Sequence, residues 1–343
     1  MTKLTKKEKL QLVLELVALT TNQRAGFMAA NGMPVSLSNK GQVRERVADA
    51  LEDGEFGYEA IIAYLDSVVP WGKQHVYLFK GPKGSLTKTW KKKVWVMDHL
   101  KSNAAAIHEL VGAPAFVGLP DELTPTSVDV TSKRFAIDMV RRREWFEREP
   151  EFDESSETLA GEPVELRAFV HRVVRNFVAF EWDLTTNTAM LRISQLAGGV
   201  RYENVKQEFA TLVNDWLDLA TFAIIDLHPS ILKLLELEKK GSGITRAHDY
   251  EVLTTAGRSV SSSSYANDVS VFGEKLTDEV YNSITSTAVG NVGNFFWLPR
   301  TGNPLSEDLR VVLVGSKDRV NFTAPSNEKI VRSVLSDIRK HCR

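Results

Sequence analysis

Cysteine is nearly absent from this 343-residue chain: Cys342, beside the C-terminus, is the only one. A lone thiol excludes an intrachain disulfide and any site built from several cysteines, and it fits a reducing compartment. At a solvated terminus it reads as incidental. Long uncharged apolar runs are missing as well. The longest fall well short of the roughly 20 residues that a membrane-spanning helix needs. The opening MTKLTKKEKLQLVLELVAL has the look of a signal peptide, but Glu8 and Glu15 interrupt its apolar run and make it an amphipathic helix. The expectation is a soluble intracellular protein, cytoplasmic or (in a eukaryote) nuclear, with no membrane partner.

Catalytic signatures are lacking too. GPKGSLTKT resembles a phosphate loop, yet its second glycine comes two residues early for GxxxxGK[ST]. GSGIT has neither a preceding strand nor the third glycine of a dinucleotide motif. HExxH, GxSxG and Cys-x-x-Cys do not occur. The seven histidines do not cluster, and His99, His108 and His171 read as structural or surface residues. Glu181 and Asp183 flank Trp182 on a strand, a poor arrangement for a working carboxylate pair. Asp121 with Glu238, Lys239 and Lys240 imitates a metal-dependent nuclease, but the lysine end lies in a helical stretch where a strand is needed. No catalytic residue, metal ligand or cofactor is therefore assigned. A nuclease remains an alternative that needs a clustered acidic site.

What is present is a globular composition, 43% apolar and 25% charged. The length suggests two domains, because single cores rarely outgrow roughly 250–300 residues. The net charge of −1 hides an asymmetry: residues 1–112 carry 16 basic and 11 acidic side chains, and the remainder 27 and 33. A basic front on an acidic body implies an anionic partner, or docking of one half on the other.

Local composition departs most sharply between Trp71 and Lys101. Eight lysines (Lys73, Lys80, Lys83, Lys88, Lys91, Lys92, Lys93 and Lys101) face one acid, Asp98, and are interleaved with Trp71, His75, Tyr77, Phe79, Trp90 and Trp95. Lysines can neutralise phosphates, and flat rings can stack on bases. The bland reading is a solvated helix face whose Trp90 and Val94 anchor it to the core. Each tryptophan alone reads more readily as core than as a stacking platform. Lys133-Arg134 and Arg141-Arg142-Arg143 are candidates to extend the surface, with Glu144, Glu147 and Glu149 placed to neutralise them.

Helical spacing predicts four short helices, Thr5–Thr20, Gln23–Ala30, Gln42–Leu51 and Tyr58–Val69, the last stopped by Pro70. HVYLFK reads as a strand, and one lysine-rich helix is expected over Thr87–Ser102. GAPAFVGLPDELTPTS, with Pro114, Pro120 and Pro125, reads as the domain boundary. Beyond it, period-2 patterns predict strands in FAIDMV, ELRAFVHRVVRNFVAFEWDL and AMLRIS, with Thr185–Thr188 as a hairpin turn. A helix of about 20 residues is predicted over YENVKQEFATLVNDWLDLATF, then a shorter one at Ser230–Lys240. NFFWLPR, a hairpin tipped by Gly315–Asp318, and a helix at Asn327–His341 complete the chain. The expected fold is α+β: a helical domain over 1–112 that ends in the basic strand–helix segment, a linker at 113–127, and an antiparallel-sheet domain over 128–343. That domain has covering helices and an exposed acidic loop at 147–165.

RERVADALEDG, AIIAYLDSVVPWGKQHVYLFK and the strand–turn–strand FVAFEWDLTTNTAMLRIS follow an element order that resembles the centromere protein N family of inner-kinetochore subunits, the yeast Chl-type proteins included. The resemblance covers about a quarter of the chain and rests on apolar spacing. It implies a small pyrin-like helical domain feeding an α/β domain and a non-enzymatic role. It also implies DNA binding through basic residues of the front half and a partner subunit bound through the C-terminal part. Lys73, Lys80 and Lys83 lie in the segments that would touch DNA. The leading expectation is thus a non-catalytic nucleic-acid-binding protein, with DNA as the favoured polyanion, that recruits a protein partner. The alternative is an interaction or scaffold subunit that binds no nucleic acid.

Overall fold

The computed structural model describes residues 4–36, 39–113, 116–196, 199–284 and 287–342. Leu37 and Ser38 in the loop before the third helix, and Pro114 in the expected linker, lie outside them. The chain is α+β, with front helices followed by one large antiparallel sheet.

Four helices make the front: α1 (Lys6–Ala18), α2 (Thr21–Ala30), α3 (Lys40–Glu52) and α4 (Tyr58–Val68). Two begin with reciprocal caps. The Thr5 and Thr20 hydroxyls accept from the amides of Glu8 and Gln23, whose side chains reach back to the cap amides. Apolar positions one turn apart (Leu12 and Leu16, Val43 and Val47, Ile61 and Leu65) then close on Phe27 and Met28 as a separate small core. Pro70 halts α4, and a single 3₁₀ turn, Val69–Trp71, leads into the sheet.

The strands are β1 (Gln74–Lys80), β2 (Thr124–Val130), β3 (Arg134–Arg148), β4 (Glu154–Glu157), β5 (Pro163–Leu166), β6 (Phe169–Asp183) and β7 (Thr188–Ser194). They continue with β8 (Ala223–Ile224), β9 (Thr245–Leu253), β10 (Ser259–Ser263), β11 (Val289–Trp297), β12 (Leu309–Val314) and β13 (Arg319–Phe322). The main sheet runs β10-β9-β11-β12-β13-β1-β7-β6-β3-β2, and β8 pairs with the end of β1. The remaining helices are α5 (Leu86–Trp90), α6 (Lys93–Asn103), α7 (Ala105–Glu109), α8 (Tyr202–Val213), α9 (His228–Lys239), α10 (Lys275–Ile284) and α11 (Glu328–Lys340).

Strand alternation divides the core between the two faces of the sheet. Tyr77 and Phe79 of β1 join Val178, Phe180 and Trp182 of β6, with residues of α5–α8 in the same cluster. Val76 and Leu78 join Val311, Val320 and Phe322, together with residues of α9–α11. β1 is therefore covered on both faces, and its run of apolar residues is that of a central strand.

This placement revises the expected division of the chain. The strand assigned with the front helices lies in the middle of the sheet, hydrogen-bonded to β7 and β13. The compact helical unit ends near Pro70. β2 begins inside the expected linker. Its Pro125 sits at a register shift on an edge strand, the setting in which a strand tolerates a residue without an amide hydrogen. The single lysine-rich helix is two: Lys91 and Lys92 separate α5 from α6, and Lys92 is extended. The break turns Trp90, Val96 and Leu100 inward and leaves Val94, expected as an anchor, 75% exposed. α8 stops at Val213, short of the predicted length. Within the acidic loop, β4 and β5 pair as a small exposed hairpin.

Candidate nucleic-acid interface

All eight lysines singled out in the sequence (73, 80, 83, 88, 91, 92, 93 and 101) are exposed. Among the described residues none has a carboxylate within 4.0 Å, in contrast to Lys40, Lys233, Lys240, Lys275 and Lys340. Six of them gather at one end of the sheet. Lys80 ends β1, Lys83 lies in the following loop, Lys88 is on α5, and Lys91, Lys92 and Lys93 occupy the break before α6. Lys101 lies in the last turn of α6, about 12 Å along its axis from Lys93. Lys73 stands apart: it precedes β1, and seven residues of strand put it about 23 Å from Lys80.

The loop that carries Lys83 is pinned by one side chain. Asn187, at the tip of the β6–β7 hairpin, has φ 52°, a left-handed conformation that asparagine tolerates better than most residues. Its Nδ2 donates to the Pro82 carbonyl at 3.0 Å, and its Oδ1 accepts from Thr87 Oγ1 at 2.9 Å and Trp182 Nε1 at 3.1 Å. The Gly81 amide donates to the Asn187 carbonyl at 2.8 Å. The neighbouring β2–β3 turn is tied in through the Leu184 amide, which donates to the Lys133 carbonyl at 2.8 Å. Lys133, exposed, therefore adds a seventh ammonium to this end.

The rings do not join this surface, and Trp71 and Trp90 go to the core, as each tryptophan reads when taken alone. Trp71, Tyr77, Phe79 and Trp90 are all buried. Trp90 packs edge-on against Phe135 and tilted against Trp182, so it fastens the lysine-bearing segment to the sheet. Trp71 lies over the Arg192 guanidinium at 3.7 Å. Half-buried Trp95 stacks on His99, whose Nε2 bonds the Trp216 carbonyl at 2.9 Å. Buried rings cannot receive bases.

Nor do the arginines continue the surface. Arg141 pairs with Glu208 at 3.1 Å, Arg142 with Asp121 at 3.0 Å, and Arg134 with Asp129. Of the acids expected to neutralise them, Glu144 lies 3.8 Å from Arg142, while Glu147 bonds Lys40 and Arg172 and Glu149 bonds Arg172.

The nuclease pattern is not assembled. Glu238 of α9 is half-buried, accepts from the Ala247 amide of β9 and from Ser270, and burial raises its pKa. Asp121 is held by Arg142 of β3. β9 and β3 are seven positions apart in the sheet, about 34 Å along it. Glu181 is occupied by both Arg332 nitrogens at 2.7 Å, and Asp183 caps the hairpin turn by accepting from the Thr185 and Thr186 amides. Among the described residues no group of three or more His, Cys, Asp or Glu is placed to hold a metal ion, and no helix is long and apolar enough to cross a membrane. No protein-family model matches the chain, and no characterised protein matches it either.

Proposed function

We propose that this protein is a non-catalytic binder of double-stranded nucleic acid, most simply DNA, that grips phosphates through the ammonium cluster at the β1–α6 end of the sheet. One observation carries the reading: Lys80, Lys83, Lys88, Lys91, Lys92 and Lys93 are exposed at one end of the sheet and lack carboxylate partners among the described residues. Solubility alone is served equally well by mixed charges. The burial of Trp71 and Trp90 argues for duplex over single strand, because phosphate contacts need no ring whereas single-strand grooves rely on stacking.

Five to seven phosphate contacts would give a log–log salt slope of about −4.5 to −6 for B-DNA. Replacing Lys91, Lys92 and Lys93 together with Glu, at positions already in solvent, should abolish binding and leave the circular dichroism spectrum unchanged. A flat salt response, or unchanged affinity in that variant, would dispose of the reading.

A second reading concerns the far ends of β3 and β6 and the small hairpin between them. Phe146, Phe152, Leu159, Leu166 and Phe169 are exposed there, in a segment (144–169) with nine acidic and two basic side chains. That combination fits a basic protein partner with apolar side chains. Such a complex should survive nuclease treatment and be lost when Phe146 and Phe169 become Ser. Dependence of the complex on nucleic acid would refute it.

A further inference from the structure

A cavity of about 220 Å³ opens where the front helices meet the sheet. Its origin lies in strand lengths. β6 pairs with β7 only from Val178 onward, so its earlier residues run past the end of β7. The helical unit closes this free edge: Gln11 Nε2 donates to the Val173 carbonyl at 2.9 Å, and Arg175 Nε donates to Glu15 at 2.8 Å. Asn176 Nδ2 reaches the Gln195 carbonyl at 2.9 Å. The closure is incomplete, and the cavity is what remains between Glu15, Lys73, Arg143, Arg175, Asn176 and Gln195, with an apolar wall that includes Leu19, Val69 and Val174.

The charge of the lining points to an occupant. It carries three cations (Lys73, Arg143, Arg175) against one carboxylate, Glu15, which is spent on Arg175. Arg143 rests on the Trp145 ring at 4.8 Å and has no carboxylate within 4.0 Å among the described residues. Burial lowers its pKa, the signature of a guanidinium short of a counter-charge.

We propose that this cavity is a binding site for a small organic oxyanion, a carboxylate or a phosphate ester. Arg143 and Lys73 meet the charged head, and the apolar wall takes the carbon skeleton. The volume equals that of about seven waters, room for a small metabolite and none for a nucleic-acid strand. Lys73, grouped by sequence with the phosphate-binding lysines, belongs here instead. The proposal is independent of the nucleic-acid reading.

Thermal melting and titration calorimetry on the full chain test it, with inorganic phosphate, acetate and glycerol phosphate as probes and sodium chloride matched for ionic strength. At ten times its dissociation constant a bound probe should raise the midpoint by about 2 °C. Whichever head group binds tighter identifies the chemistry. Arg143→Gln should weaken that binding at least tenfold, while Lys275→Gln, on the exposed surface of α10, should leave it intact. Lys73→Gln, at an exposed position, gives the same comparison if Arg143→Gln does not fold. Absence of any shift at about 10 mM, meaning that the cavity holds only water, would overturn the proposal. So would equal responses in wild type and both lining variants.

Discussion

Substituting Glu15 tests how the helical unit is held to the sheet. Its carboxylate and the Arg175 guanidinium are 160 residues apart in sequence and meet at 2.8 Å with side-chain exposures of 3% and 1%. Arg175 keeps two further partners, the Phe116 carbonyl at 2.8 Å and Asp66 at 3.7 Å. Glu15→Gln preserves an acceptor and removes the charge, and should destabilise by about 1.5–3 kcal/mol, the range for a hydrogen bond to a charged group. Glu15→Ala removes both and leaves the buried cation only the more distant Asp66 carboxylate, which costs about 3–5 kcal/mol. For a chain of this length the unfolding entropy is about 0.7 kcal/mol per degree, so the alanine variant should melt about 4–7 °C lower if unfolding is one transition. Calorimetry gives the midpoint, and urea denaturation gives the free energy. Pairing Glu15→Leu with Arg175→Met removes the charge pair altogether and should recover most of the loss. An alanine variant within 1 kcal/mol of wild type would show that the pair is not a structural clamp.

Asn187→Ala deletes the acceptor for Thr87 and Trp182 and the donor to Pro82, and it puts alanine at a left-handed position. The expected loss is about 3 kcal/mol, with weaker duplex binding because the Lys83 loop is released; unchanged DNA affinity would separate the loop from the interface. His75 is held at a pKa of about 3, below its ordinary 6.5, chiefly by burial and then by Arg319. The unfolded chain therefore binds the extra proton first. The stabilisation is complete above about pH 6.5 and is lost as the pH falls toward 3. His75→Gln should lose less stability than wild type between pH 7 and pH 5 in urea titrations, and parallel losses would contradict the assignment.

The front helices were legible because their signals are local: apolar positions one turn apart, and Pro70 as a stop. The β6–β7 hairpin and the Gly315–Asp318 tip were legible for the same reason. The break at Lys91–Lys92 carries neither glycine nor proline. It exists because Trp90 and Val96 must both face the sheet, a tertiary demand that helical spacing does not record. Pro125 disguised β2 as linker, since a proline argues against a strand unless the strand is an edge. The lysines' exposure was readable from their chemistry, and Trp71 and Trp90, taken singly, were readable as core. Arg175 and Glu15 had no signal at all, because periodicity is silent about residues brought together from 160 positions apart.

The position of β1 sets the order in which the molecule can be completed. It leaves the ribosome long before β13, the strand that fills its register from Gln74 to Tyr77. Until Arg319–Phe322 emerges, that edge offers open amide and carbonyl groups to any other nascent chain. Fragments that stop short of Arg319 should therefore aggregate, and folding should be slow for the chain's size, since the ends of the central pairing must find each other across most of the sequence.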